Sequence, residues 1–383
     1  MAQGWHPVLR VQPTIPVDSA VRPTRSIAPV HPPLFVQKEN GNASSHTRSS
    51  VNHCTLLAIL CGTAVAQYQL TNLVSNLPGQ ASHQDTLLIN AWGLVHTPTS
   101  PWWISDNGSG WSTLYTATGA KQHLQVVVPA AKAGASGSPT GIVFNGSSDF
   151  QVQGWASIFL FATLDGTISG WAPQSNPNQA IIAVNNSDGG ASYTALAITS
   201  RASGNLLYAA DNAHNRVDVY DGSFRHVKSF TDPKVPAGFS VFGIRDLDGL
   251  LYVAFASSSG GEGGVIDIFS ESGVFLKTLA QGAPLNQPWG FAAAPSGFGP
   301  LSNTLLVSNN TNSGTINAFN AITGASVGTV RDTSGRIIHI DQLWAIDFGD
   351  GLPMTNNGAA NELFFTAGPN NNVNGVFGSI VFK

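Results

Sequence analysis

The chain has 383 residues, of which only 10% are charged, and its 17 Lys and Arg against 21 Asp and Glu leave a formal net charge of −4. That balance provides no electrostatic footprint for a nucleic acid or an anionic membrane as partner. The 41 Gly, 22 Pro and 42% hydrophobic residues describe a turn-rich β composition and exclude a disordered chain, while the length still admits one large all-β domain.

In chain order, the first 50 residues are rich in Pro, Ser, Val and basic residues and carry neither helical nor strand periodicity. Arg48, a short apolar core over residues 54–62 and the small-x-small run Ala64-Val65-Ala66 then match a secretory signal peptide cleaved after Ala66. The core is too short to remain as a membrane anchor. A buried strand or helix is the alternative for this stretch, and lipoprotein cleavage at Cys61 is disfavoured by the bulky Leu60 before it. The expectation is a leader over 1–66, a folded domain over 67–383, and a secreted, periplasmic or extracellular product with no transmembrane anchor after cleavage. The only two cysteines, Cys54 and Cys61, leave with the leader. A disulfide framework, a thiolate metal site and a Cys nucleophile then drop out.

From residue 90 onward one pattern recurs. A bulkier residue followed by a small one opens each unit: Trp92-Gly93, Thr140-Gly141, Thr194-Ala195, Phe242-Gly243, Trp289-Gly290 and Trp344-Ala345. Their spacing is about 50 residues, a propeller-blade period. A second apolar run ends in turn-forming residues, as in "WWISDN", "LLYAADN" and "TLLVSNN". A third alternates with period two, as in "RVDVYDG" and "VIDIFSESG", the mark of a strand with two distinct faces. A fourth follows in five units. The sixth unit stops at Lys383 with three strands, and "YQLTNLVSN" (residues 68–76) supplies the missing one, hiding a sheet edge that would invite aggregation. The fold expected is an all-β, six-bladed β-propeller of four-stranded antiparallel blades, with the last blade closed by the N-terminal strand.

The segment "LYAADNAHNRVDVYDG" resembles the NHL repeat. Residues 67–383, through "NAWGL", "SPTGIVFN", "FATLDGTISGW", "QPWGFAAAPSGFG", "QLWAIDFG" and "FTAGPNNNVNGVFG", resemble a family of secreted, uncharacterised bacterial propeller proteins, some of which end in a PEP-CTERM sorting tail. This chain shows no such tail, and its "SNNTNSG" turn departs from the family's look. The resemblance implies fold and export and brings no catalytic residues with it.

Two groups of residues are expected to converge on the channel mouth where the first strands begin. One is the ring of opening residues. Trp92, Trp289 and Trp344 belong to blades that become neighbours on closure, with Thr140 and Thr194 opposite and Asn90, Gln287 and Asp341 as polar partners. An aromatic wall of this kind suits a neutral or carbohydrate-like ligand, although packing between blades is the commoner fate of Trp. The other is polar: Asp106, Asp165, Asp211 and Asn309, whose oxygens suit Ca²⁺ as a cofactor but equally suit hairpin-turn chemistry. No Gly-x-Ser-x-Gly or His-Glu-x-x-His spacing occurs, so no catalytic residue is assigned. "GGEGG" reads as a flexible turn. Asn107, Asn145, Asn185 and Asn309 open glycosylation sequons. The function expected is a ligand-binding or scaffold module acting through its channel mouth on a small-molecule, glycan or extracellular protein ligand, as a monomer. The alternative is a divalent-metal-dependent hydrolase, lactonase or lyase at the central channel.

Overall fold

The computed structural model describes residues 67–200, 204–352 and 356–383. The leader, both cysteines and the cleavage motif lie outside the described residues. The chain divides into two units, Met1–Cys61 and Gly62–Lys383, and every described residue belongs to the second.

Six antiparallel sheets follow one another in chain order. Blade one comprises Ala91–Val95, Trp102–Asp106, Trp111–Tyr115 and Lys121–Val127; blade two, Pro139–Phe144, Phe159–Thr163, Thr167–Trp171 and Ile181–Asn185. Blade three comprises Tyr193–Thr199, Leu206–Asp211, Arg216–Asp221 and His226–Phe230; blade four, Phe239–Leu247, Leu250–Ser257, Gly264–Ser270 and Phe275–Gln281. Blade five comprises Pro288–Ala293, Leu305–Asn309, Ile316–Phe319 and Ser326–Thr329. Blade six has three strands of its own, Leu343–Phe348, Leu363–Ala367 and Val376–Phe382. Each first strand is innermost, and all six line one axial cavity. The chain folds as a six-bladed β-propeller.

Ring closure follows the expected route. Tyr68–Ser75 pairs antiparallel with Val376–Phe382, from Tyr68 opposite Phe382 to Ser75 opposite Val376. The short segment His83–Gln84 adds a further strand, parallel to the closing one, on the outside. Tyr68 is 1% exposed and donates its hydroxyl to the Phe298 carbonyl of blade five at 2.7 Å, so the closing strand also ties two blades together.

Period-two alternation in the third strands serves two buried faces. In Arg216–Asp221, Val217 and Val219 pack into a cluster with Val241, Val253 and Phe255 of blade four. Tyr220 turns the other way, into a cluster with Leu160 and Ala162 of blade two. An apolar layer of this kind fills each seam between blades, which is why so weakly charged a chain shows alternation without an apolar/charged contrast. Among the described residues no helix is long and apolar enough to cross a membrane.

Candidate functional site: the axial channel

The small residue after each opening position is a packing requirement. A Cβ on Gly93 would lie 2.3 Å from the Thr140 carbonyl oxygen, on Gly141 2.4 Å from the Leu196 nitrogen, and on Gly243 2.0 Å from the Trp289 carbonyl oxygen. At these three crossings neighbouring inner strands approach so closely that no Cβ fits, whereas blades three and six carry Ala195 and Ala345 at the equivalent position. Hydroxyls stitch them together. Thr140 Oγ1 donates to the Tyr193 carbonyl and Thr194 Oγ1 to the Phe242 carbonyl, each at 2.7 Å. From the second strand of blade five, Ser308 Oγ donates to the Trp344 carbonyl of the next inner strand at 2.6 Å.

This approach brings the three tryptophans together. Trp92 and Trp344 stack with centroids 3.6 Å apart, and Trp289 meets both edge-on, at 6.4 Å and 5.8 Å. Phe242 tilts against Trp344 at 5.7 Å. Trp92, Trp289 and Trp344 are 5%, 8% and 3% exposed. They are contiguous, as ring order demands, but they spend their faces on one another and plug the axis at the end where the inner strands begin. Their polar edges are largely engaged as well. Trp344 Nε1 donates to Asn90 Oδ1 at 3.0 Å, and Trp289 Nε1 to the Thr194 carbonyl at 3.2 Å. Trp92 Nε1 is buried without an acceptor. Of the expected polar partners, Gln287 donates to the Gly261 carbonyl at 2.7 Å, pinning the "GGEGG" turn, and Asp341 Oδ2 accepts from the Asn370 amide at 2.8 Å.

The candidate metal ligands sit at the turns between second and third strands, each in a different blade. Asp211 Oδ1 accepts from the Ser192 amide, Asn309 Oδ1 from the Asn286 amide and Asp165 Oδ2 from the Ala131 amide. In each case the side chain fastens the segment that enters its own blade or leaves the preceding one. The adjacent Asn residues face forward: Asn107, Asn212 and Asn310 donate to the Pro139, Val241 and Leu343 carbonyls of the next inner strand. The recurring Asp/Asn pairs thus act as staples between blades. Asp106 is the exception. Both its oxygens are buried without a hydrogen-bond partner, and burial, reinforced by the nearby Asp85 charge, pushes its carboxyl well above the usual range. Among the described residues no three His, Cys, Asp or Glu side chains gather as a metal-holding group. The Asp85 carboxylate near Asp106 is itself bound by Tyr115 and Lys121 of blade one, each at 2.7 Å.

Beyond the plug the axis widens into a cavity of about 230 Å³ lined by all six inner strands, with Trp289 contributing to its wall. Among the described residues its only charged lining residues are Arg245, Asp246 and Asp347. Arg245 and Asp347 each stand three residues past the opening residue of blades four and six. Their side chains meet at 2.7 Å, reaching past blade five. The same guanidinium donates through Nη1 to the Phe291 carbonyl of blade five at 3.0 Å and to the Ile346 carbonyl of blade six at 3.3 Å. One side chain therefore straps three blades at the open end, where Arg245 and Asp347 keep 34% and 18% of their side-chain surface exposed. The lining on the opposite arc, from blades one to three, includes Val95, Phe144 and Ile198.

Sequence reasoning missed this pair because it followed the opening residues. A signal was present: in a chain with few charges, "GIRDL" and "AIDFG" place them inside first strands that are otherwise apolar. A charge held within a buried strand needs a partner or an aqueous opening.

No family model matches the chain. An uncharacterized protein of Acanthamoeba polyphaga mimivirus is 29% identical over 341 residues, covering 83% of this chain and 81% of the relative. A second uncharacterized protein of the same virus is 31% identical over 283 residues, covering 70% of this chain but 48% of that relative. Among solved structures, a glucose dehydrogenase superposes with a TM-score of 0.52 at 8% identity, covering 81% of this chain and 98% of that one. At that identity the likeness concerns the fold alone.

Proposed function

We propose that this protein is an exported binding module that takes a small molecule into its axial channel from the end carrying Arg245, Asp246 and Asp347. One observation carries the reading. The six inner strands enclose a single cavity that is stopped by indoles at one end and bears a solvent-exposed ion pair at the other. A concave, mostly apolar pocket with a few converging polar groups on a rigid scaffold is the usual form of a small-molecule site. The reading moves the mouth expected from sequence to the opposite end of the same channel and keeps Trp289 as part of the wall.

Export rests on the sequence: Arg48, the apolar core and Ala64-Val65-Ala66 form a signal peptide, with the mature chain starting at Gln67.

The test is a metabolite screen on residues 67–383, read by ligand-induced thermal stabilisation. Val95 lies half-buried on the lining, and Val95→Trp places a large ring in the opening. A ligand whose stabilisation disappears in the Val95→Trp variant binds in the channel. Hits that are all insensitive to Val95→Trp would refute the channel as the site.

A further inference from the structure

We infer that Lys121 and Asp85 condense into a side-chain amide, a covalent clamp that the folded chain forms on itself between the outer edges of blades six and one.

Position comes first. Asp85 directly follows His83–Gln84, the strand on the outside of the blade-six sheet. Lys121 opens the outermost strand of blade one, and Tyr115 stands opposite it in the third strand. In the turn between them, a Cβ on Gly119 would come within 2.8 Å of the Leu73 carbonyl oxygen of the closing strand. A bond from Asp85 to Lys121 therefore ties the stem of the closing strand to the neighbouring blade. Residues 67–383 contain no cysteine, so no disulfide can brace this join.

Geometry comes second. Lys121 Nζ and the Tyr115 hydroxyl each lie 2.7 Å from Asp85 Oδ2, and the Leu87 amide donates to Oδ1 at 3.0 Å. No other lysine among the described residues meets a carboxylate at ion-pair distance. The Asp85 side chain is 6% exposed and that of Lys121 37%, so the carboxylate is withdrawn from water while a released water has a way out. Tyr115 is buried and stacks on Phe377 at 5.9 Å. The nearby Asp106 carboxyl, buried with no hydrogen-bond partner, marks how apolar the surroundings are. An amine held against a carboxyl in such a place gains a large effective concentration and is shielded from hydrolysis.

Chemistry comes third. Burial alone would push the Asp85 carboxyl up, but the Lys121, Tyr115 and Leu87 donors outweigh it and hold the group below its usual range, so the contact rests as an ion pair. One ammonium proton crosses from Nζ to Oδ2, leaving a neutral amine beside a neutral carboxyl. Nζ then attacks Cγ, and the negative charge gathers on Oδ1, where the Leu87 amide donates. The Tyr115 hydroxyl gives its proton to Oδ2 and recovers one from Nζ. The Cγ–Oδ2 bond breaks, one water leaves, and the Nζ–Cγ amide remains. No oxidant or co-reactant enters.

Mass spectrometry of purified folded protein, expressed from the full chain, is the test. Expected is an intact mass one water below that of the sequence from its observed N-terminus. Chymotryptic digestion should release a branched peptide joining the Asp85 and Lys121 segments. Lys121→Arg keeps the ion pair and should restore the full mass and two separate peptides. Tyr115→Phe takes the hydroxyl from Oδ2 and should slow the appearance of the branched peptide by roughly a hundredfold. Thermal unfolding confirms that each variant is folded, and Lys121→Arg, at the more exposed end of the pair, carries the comparison if Tyr115→Phe is not. A parent protein that stays folded for days at full mass, with Asp85 and Lys121 in separate peptides, would overturn the clamp. So would a missing water that persists in Lys121→Arg. Conversion of Tyr115→Phe at the parent rate would overturn the proton route.

Discussion

The indole of Trp92 lies on that of Trp344, with centroids 3.6 Å apart and planes inclined by 18°, across the seam where the first blade meets the last. The two residues are separated by nearly the whole propeller in sequence, so their contact exists only in the closed ring. Both belong to a cluster that reaches through the axis to Trp289 and on to Val241 and Phe255 of blade four. The plug is therefore the point where several blade seams share one core.

Truncating Trp344 to Ala removes a large buried side chain from that junction. The expected cost is roughly 3–5 kcal/mol of stability, measured by denaturant unfolding. Asn90 Oδ1 would also lose its indole donor. A Trp344→Ala protein within about 1 kcal/mol of the parent would mean that the indoles are not the core of the ring.

Removal of residues 67–76 deletes the closing strand. It frees the edge of Val376–Phe382 along the register from Tyr68 to Ser75 and withdraws Tyr68 and Val74 from burial. The truncated protein should aggregate and unfold at lower temperature than residues 67–383, because an open flat edge pairs with other chains. Equal solubility and equal unfolding temperature would refute the role of this strand as the closure.

The third strands of blades three to five each carry a buried polar residue opposite a hydroxyl: Asp218 with Ser229, Asp267 with Thr278 and Asn317 with Thr329. At Asp267, burial, together with the nearby Asp232 carboxylate, pushes the carboxyl up to about 7. The folded chain therefore holds this proton over a range in which the unfolded chain has released it. The associated stability is fully present below about pH 4 and declines as pH rises toward about 7, by at most roughly 1.4 kcal/mol per unit. Asp267→Asn keeps the shape, and the blade-five equivalent Asn317 accepts from Thr329 Oγ1 at 2.8 Å. The variant should gain stability relative to the parent between pH 5 and pH 8. A stability difference that does not change with pH would show that Asp267 titrates normally.

Of the four described sequons, three are closed by packing. Asn145 and Asn309 are 4% and 3% exposed, and Asn107 donates its amide to the Pro139 carbonyl. Asn185 is exposed at the end of the outer strand of blade two, with its Oδ1 accepting from both the amide and the hydroxyl of Ser187. Expressed through a eukaryotic secretory route, folded protein should carry one glycan within residues 67–383, removed by Asn185→Gln and detected by glycopeptide mass spectrometry. Folded protein glycosylated at Asn145 or Asn309 would contradict the packing of those turns.

Blade number, blade order and the closing strand were legible in the amino-acid sequence. Strand alternation, turn residues and a small residue after each opening position are local patterns, repeated in every unit. The contiguity of Trp92, Trp289 and Trp344 followed too, since ring order makes blades five, six and one neighbours. What the side chains do after that depends on distances between segments far apart in the chain. Only the closed ring decides that the indoles face one another and are buried, because burying aromatic surface is favourable wherever neighbouring strands approach closely enough. Only the pairing of the first strand with the second turns Asp211 and Asn309 toward the backbone amides of Ser192 and Asn286, because an oxygen that suits a cation equally suits an N–H already in reach. And only the tertiary structure joins Arg245 to Asp347, since their separation in sequence spans an entire blade while their charged ends meet at 2.7 Å beside the axis.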